Sequence, residues 1–298
     1  MSGAKWEARI RRAQELAAVH AFAAEGLRFY ERIAGFQKTL YAGVAASLGA
    51  ARQDRQAPPG ALLQEHDLEL VLLLPWFASF LPFVEEIAPA PLAQSAAELA
   101  ALGVTRWQEV LEELWRAGAG SAGALSAAEG AIAWAFLQPY AEALADQLDP
   151  FGTPASPGAS GAAGSPPEMP AEPAPGDATP NVCPRCSCRP QVGVLRQQGD
   201  GARRSLICAL CATEWPYRRI VCAACGEESV DKLPVYVAEQ LGHVRVEACD
   251  TCRHYIKTID LTKNGHAVPV VDELAAIPLS LWAEERGYVK LAPNLLGL

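Results

Sequence analysis

Eight of the nine cysteines in this chain fall into four C-x-x-C pairs: Cys183/Cys186, Cys208/Cys211, Cys222/Cys225 and Cys249/Cys252. Two residues between cysteines let one tight turn present both sulfurs to a single ion while nearby backbone N–H groups stabilise the thiolate charge. Twenty-one residues separate Cys186 from Cys208, and twenty-three separate Cys225 from Cys249. The runs "QVGVLRQQGDGARRSLICAL" and "LPVYVAEQLGHVRVEACD" between these pairs each read as strand, turn, strand, long enough to bring a second turn back beside the first. The spacing therefore predicts two successive ribbon units, each with a four-thiolate site. Such a site suits Zn²⁺ or a single iron and suits Mg²⁺ poorly. A β unit this small has little apolar core, whereas a structural zinc contributes about 10–16 kcal/mol of apparent binding free energy.

Other uses of paired cysteines explain less. Thioredoxin-type catalysis at "CPRC" needs one exposed pair on a strand-to-helix unit and leaves three pairs over. Disulfides need oxidising surroundings. Interleaved pairing, with the first and third pairs on one ion, is physically open, but two consecutive hairpins make nearest-neighbour pairing simpler. Cys188 stands outside the pairs and reads as a bystander beside the first site, with ligand exchange or oxidation sensing as the sharper alternative. His243, His254 and His266 are left as solvent-facing or hydrogen-bonding residues, because eight thiolates already complete two tetrahedra.

Upstream the texture is different. Residues 1–150 carry long Ala/Leu-rich stretches with helical spacing and read as an all-helical domain. Trp107, Val110, Leu111, Leu114 and Trp115 recur on one helix face, and Ser126 ahead of Glu129 fits a capping box at the start of the last helix. "LVLLLPWFASFLPFV", Leu70 to Val84, is uncharged but shorter than the ~20 residues of a spanning helix. It reads as a buried core helix broken or kinked at Pro75 and Pro82, with a membrane or partner-facing surface as the alternative reading. "GAGSAG", Gly118 to Gly123, matches a dinucleotide fingerprint letter for letter, but it follows a helix rather than a strand and reads as a connection. Residues 151–180 are Pro/Gly/Ala-rich and read as a linker. The expected organisation is thus α+β and multidomain: helices over 1–150, the linker 151–180, ribbon modules over 181–221 and 222–265, and a C-terminal helical segment over 266–298.

Charge narrows the function classes. A net charge of −9 with a pI near 5.2 disfavours nucleic acid as a partner, since coating it requires many phosphates to be neutralised. Arg203/Arg204 and Arg218/Arg219 leave locally basic edges, so a zinc-ribbon nucleic-acid or transcription module stands as the alternative reading. Residues 1–25 mix Lys5, Arg9, Arg11 and Arg12 with Glu7 and Glu15 and do not read as an export signal, so a cytoplasmic protein without membrane insertion is expected. No catalytic residue stands out, and closed four-thiolate sites leave no coordination position for substrate, so the chain does not read as an enzyme.

The motifs "CPRCSCRP", "CALCATEW" with Trp215, "CAACG" with Gly226, "CDTCRHYIKTID" with Tyr255 and Lys257, and the closing "DELAAIPLSLWAEERGYVKLAPNLLGL" resemble the FdhE-type formate dehydrogenase accessory proteins. The cysteine half matches motif by motif, and the helical half agrees in kind. Cys188 and the Pro-rich linker depart from the pattern. The resemblance implies rubredoxin-like modules holding two iron ions, with zinc as the alternative. It also implies a cytoplasmic accessory protein that binds the catalytic subunit of respiratory formate dehydrogenase and is needed for its activity, without oxidising formate itself.

Overall fold

The computed structural model describes residues 2–51, 62–63, 68–118, 125–147, 180–199 and 201–297. The expected linker therefore lies outside the described residues except for Pro180, as does most of the glycine-rich segment that follows Gly118.

The N-terminal half is helical, as its periodicity predicts: α1 (Ser2–Val19), α2 (Ala24–Ala51), α3 (Leu70–Ile87), α4 (Ala90–Ala117) and α5 (Ala127–Gln147). Aromatic side chains fill the space between them, with Phe77 edge-on to Phe136 at 4.8 Å and Phe36 against Phe80 at 4.9 Å. Val110, Leu111, Leu114 and Trp115 are buried on one face of α4, and Trp107 donates its indole N–H to the Leu99 carbonyl at 2.8 Å across a break at Gly103. The capping box forms reciprocally: Glu129 N–H donates to Ser126 Oγ at 3.2 Å and Ser126 N–H to Glu129 Oε2 at 2.9 Å.

α3 departs from expectation. It runs unbroken through Pro75 and Pro82, and only Leu73, Phe77, Phe80, Leu81 and Val84 of it are buried. Both prolines lie on the exposed side, where the carbonyls they leave without a helical donor, those of Val71 and Ala78, can be hydrated. Among the described residues this is the one helix long and apolar enough to cross a membrane by length and composition, and 28% of it is buried.

Strands β1 (Pro190–Gln198), β2 (Gly201–Cys208), β3 (Glu214–Pro216), β4 (Val235–Val237), β5 (Val244–Ala248), β6 (His254–Asp260) and β7 (Val289–Lys290) form one sheet. Its order is β3-β2-β1-β6-β5-β4, with β7 also on β6. Each hairpin is antiparallel, and the two ribbons join through a parallel pairing of β1 with β6, Val192 to Leu195 opposite Lys257 to Asp260. Gly193 makes that junction possible: a Cβ there would sit 2.3 Å from Thr258 Oγ1. The C-terminal segment folds as two helices rather than one, α6 (Pro269–Ala275) and α7 (Ile277–Glu285). The break falls at Ala276 (φ −85°, ψ 42°), and Pro278 in the first turn of α7 suits it, having no N–H to donate back to the Leu274 carbonyl as a continuous helix would require.

Beneath the junction lies a buried ionic cluster. Lys257 donates to Glu273 Oε1 at 2.9 Å, the Glu273 carbonyl at 2.7 Å and Ser280 Oγ at 2.8 Å. Lys290 and Asn294 reach the same carboxylate. Burial pushes the Glu273 carboxyl up, but Lys257 and Lys290 outweigh it and hold the pKa at about 2. Burial and the neighbouring Lys257 bring Lys290 down to about 8 despite its pairing with Glu273.

The helices and the sheet share a continuous core that includes Trp6, Phe77 and Tyr140 from one half and Leu210, Trp215 and Ile256 from the other. Arg12 of α1 grips Asp272 of α6 with two hydrogen bonds of 2.7 and 3.0 Å, and His243 meets the same carboxylate at 2.8 Å. Burial raises Asp272, while His243 and Arg12 more than compensate and keep it ionised.

Glu273→Gln strands two buried ammonium groups, so urea unfolding should report a loss of about 3–5 kcal/mol. The wild-type stabilisation from Glu273 is complete above the unfolded carboxyl value of 4.5 and fades as the pH falls toward 2. The variant's stability should lack that component of the acid limb. Gly193→Ala, which forces a methyl group into Thr258, should cost about 1–3 kcal/mol by the same measurement.

Candidate metal centres

Each C-x-x-C pair sits in a turn of the same local design. The amide of the first cysteine donates five residues ahead: Cys183 to the Cys188 carbonyl, Cys208 to Thr213, Cys222 to Glu227 and Cys249 to His254, at 2.8–2.9 Å. The residue after the second cysteine turns into the left-handed region, at Ser187 (φ 52°), Ala212 (φ 54°), Gly226 (φ 78°) and Arg253 (φ 59°). Only Gly226 does so without strain; the other three carry a Cβ into a region that L-residues avoid. What the turn gains is hydrogen bonding to sulfur. The amides of Arg185, Leu210 and Ala224 donate to Cys183, Cys208 and Cys222 Sγ at 3.4, 3.4 and 3.3 Å.

The hairpins then bring the turns together in nearest-neighbour order. Cys183, Cys186, Cys208 and Cys211 form one set and Cys222, Cys225, Cys249 and Cys252 the other, with the four sulfurs of each set within 4.8 Å of one another. In the first set Cys186 is 3.3 Å from Cys208 and 3.6 Å from Cys211, and Cys183 is 3.6 Å from Cys211. In the second, Cys222–Cys252 and Cys225–Cys249 are both 3.7 Å. A disulfide would require about 2.05 Å. A tetrahedron built on metal–sulfur bonds of about 2.3 Å has edges of about 3.8 Å, so each set has the donors and the spacing to hold one four-coordinate ion.

The surroundings of the two sets differ. Cys183, Cys186, Cys208 and Cys211 are at most 2% exposed and belong to the core shared with the helices. Leu63 N–H donates to the Arg185 carbonyl at 2.7 Å and Gln138 Nε2 to the Ala209 carbonyl at 2.8 Å, so the helical half hydrogen-bonds the interior of both turns. In the second set Cys225 is exposed and Cys252 half-buried. Burial drives the Cys208 thiol well above its usual range. At Cys249 burial also acts upward, but the amides of Cys252 and Thr251 and the neighbouring thiols outweigh it and lower the pKa.

Among the residues set aside in the sequence, His243 pairs with Asp272, His254 Nδ1 meets the Cys252 carbonyl at 2.9 Å, and His266 is exposed. Cys188 is fully buried beside the first set and closes its first turn through its carbonyl. The basic edges do not survive folding. Arg203 and Arg204 lie within β2, between β1 and β3, and are buried. Arg204 spends its guanidinium on Glu247 and on the Arg218 and Val221 carbonyls. Arg218 pairs with Glu228, so Arg219 alone of the four is exposed. The left-handed residue after each pair was announced only by Gly226, and the Glu273 cluster left no local signal.

Comparison with known proteins follows the same boundary. Residues 182–219 match the central domain of FdhE and residues 220–296 match its C-terminal domain. Residues 182–296 of this chain are therefore similar to the FdhE family. A protein FdhE homolog of Aquifex aeolicus is 39% identical over 119 residues, and one of Pseudomonas aeruginosa is 37% identical over 122. These matches span 39% of this chain and 42% and 39% of the two relatives, about two fifths of their length. The crystal structure of the FdhE protein from Pseudomonas aeruginosa shares the fold across 99% of this chain and 96% of its own, with a TM-score of 0.66 at 23% identity. The helical half thus agrees with an FdhE structure in fold, where the FdhE domain patterns themselves end at residue 182.

Cys208→Ser should lower the zinc content after reconstitution by one ion per chain and reduce the unfolding free energy by several kcal/mol. Elemental analysis and a urea titration check both.

Proposed function

We propose that this protein is an accessory factor for assembly or maturation of a respiratory formate dehydrogenase, acting in the cytoplasm by binding the catalytic subunit. The observation that carries the reading is the run of FdhE central and C-terminal domains over residues 182–296, on a chain whose whole fold resembles an FdhE structure. In this reading the helical domain, 1–150, and the ribbon modules, 181–221 and 222–265, form a platform for the immature subunit. Their eight cysteines hold two ions of rubredoxin type, iron before zinc. A four-thiolate iron would supply one-electron chemistry, and zinc would supply only a brace.

The donor chemistry supports an accessory role over catalysis, since four thiolates fill a tetrahedral ion and leave no place for substrate. Withdrawal of Arg203 and Arg204 into the sheet takes away the main support for the nucleic-acid alternative.

The tagged full-length chain, expressed in its native host under formate-respiring conditions, should co-purify with the formate dehydrogenase catalytic subunit. Deletion of its gene should abolish formate-dependent dye reduction while leaving the subunit's transcript unchanged. Full activity in the deletion strain, or a pull-down without the subunit, overturns the proposal.

A further inference from the structure

The two sulfur sets are alike in geometry and unlike in access. Every sulfur-bearing residue of the first set is at most 2% exposed. Its two turns are clamped through their own backbone, at the Arg185 and Ala209 carbonyls, by Leu63 and Gln138 of the helical half. Reaching an ion there means parting the helices from the sheet, through a core that contains Leu210, Trp215, Phe77 and Tyr140. Among the described residues, the helical half makes no such backbone clamp on the second set. Cys225 is exposed and Cys252 half-buried. The Cys222 turn also walls a cavity of about 180 Å³ lined by Ile220, Val230 and Val235, and Ile220 and Val230 are themselves 55% and 66% exposed.

We infer that the second centre, Cys222/Cys225/Cys249/Cys252, is the protein's exchange site, at which an ion is taken up from or surrendered to soft donors, while the first centre is sealed for the life of the fold. The inference rests on the two-ion reading proposed above. The incoming ligand is a thiol or nitrogen chelator small enough to reach the Cys225 side. Its donor atom binds the ion with its own electron pair as the Cys225 thiolate dissociates and takes a proton from water. Oxidation state does not change, and the remaining three thiolates follow in turn. Such a site can exchange in the native state, whereas exchange at the first centre waits on an opening close to global unfolding.

The test uses the full-length chain loaded with zinc alone and mixed with excess 4-(2-pyridylazo)resorcinol. One ion should be released at least about tenfold faster than the other, with the far-UV circular dichroism unchanged after the fast phase. A short iodoacetamide pulse during that phase, followed by peptide mass spectrometry, should label Cys225 and Cys252. Cys183, Cys186, Cys208 and Cys211 should label only in denaturant. Cys225→Ser should lose the fast phase and keep the slow one. Release of both ions in a single phase, or earlier labelling of the first set, overturns the inference while leaving two four-thiolate centres in place. A chain that binds no zinc at its eight cysteines overturns the two-ion reading and this inference with it.

Discussion

Two groups of four sulfur atoms, within 4.8 Å of one another in each group and as close as 3.3 Å, are the constraint from which the C-terminal half is organised. Thiolates at that spacing repel one another unless a cation sits between them, and thiols gain little from the approach. The backbone accommodates it by strain: three of the four turns force a residue with a side chain, Ser187, Ala212 and Arg253, into the left-handed region. An ion bound by four thiolates would offset such costs many times over.

The sites position the ribbons, and the β1–β6 pairing makes one body of them. That seam depends on the missing side chain of Gly193 and on the charge balance beneath it, where one carboxylate, Glu273, answers two ammonium groups, Lys257 and Lys290. The cluster ties β6, α6 and β7 together at buried positions, so its members are useful only as a set. The helical half then docks through Arg12 on Asp272 and through hydrogen bonds into the first pair of sulfur turns. The first centre is therefore a node of the interface between the two halves, and the second faces outward.

Much of this was legible in the residues alone. The eight cysteines, their nearest-neighbour grouping, the hairpins, the helical half and the Ser126–Glu129 cap follow from short-range spacing and periodicity, which act over a few residues and leave a direct trace. Exposure was not legible. α3 looks like a core helix because its side chains are apolar, yet its prolines and Val71 face outward. Arg203 and Arg204 look like a basic edge because they are arginines, yet β2 acquires strand neighbours on both sides and takes them in.

The sequence by itself determined which atoms can bind an ion and favoured their nearest-neighbour grouping, because the reach of a C-x-x-C turn and the length of a hairpin are local properties. Only the tertiary structure decided that the ribbons fuse edge to edge, that α5 and the Leu63 segment cover one centre, and that Cys225 remains open to solvent. Burial is a relation between surfaces distant in the chain. No run of residues near Cys183 or Cys225 records which of them the helices will cover.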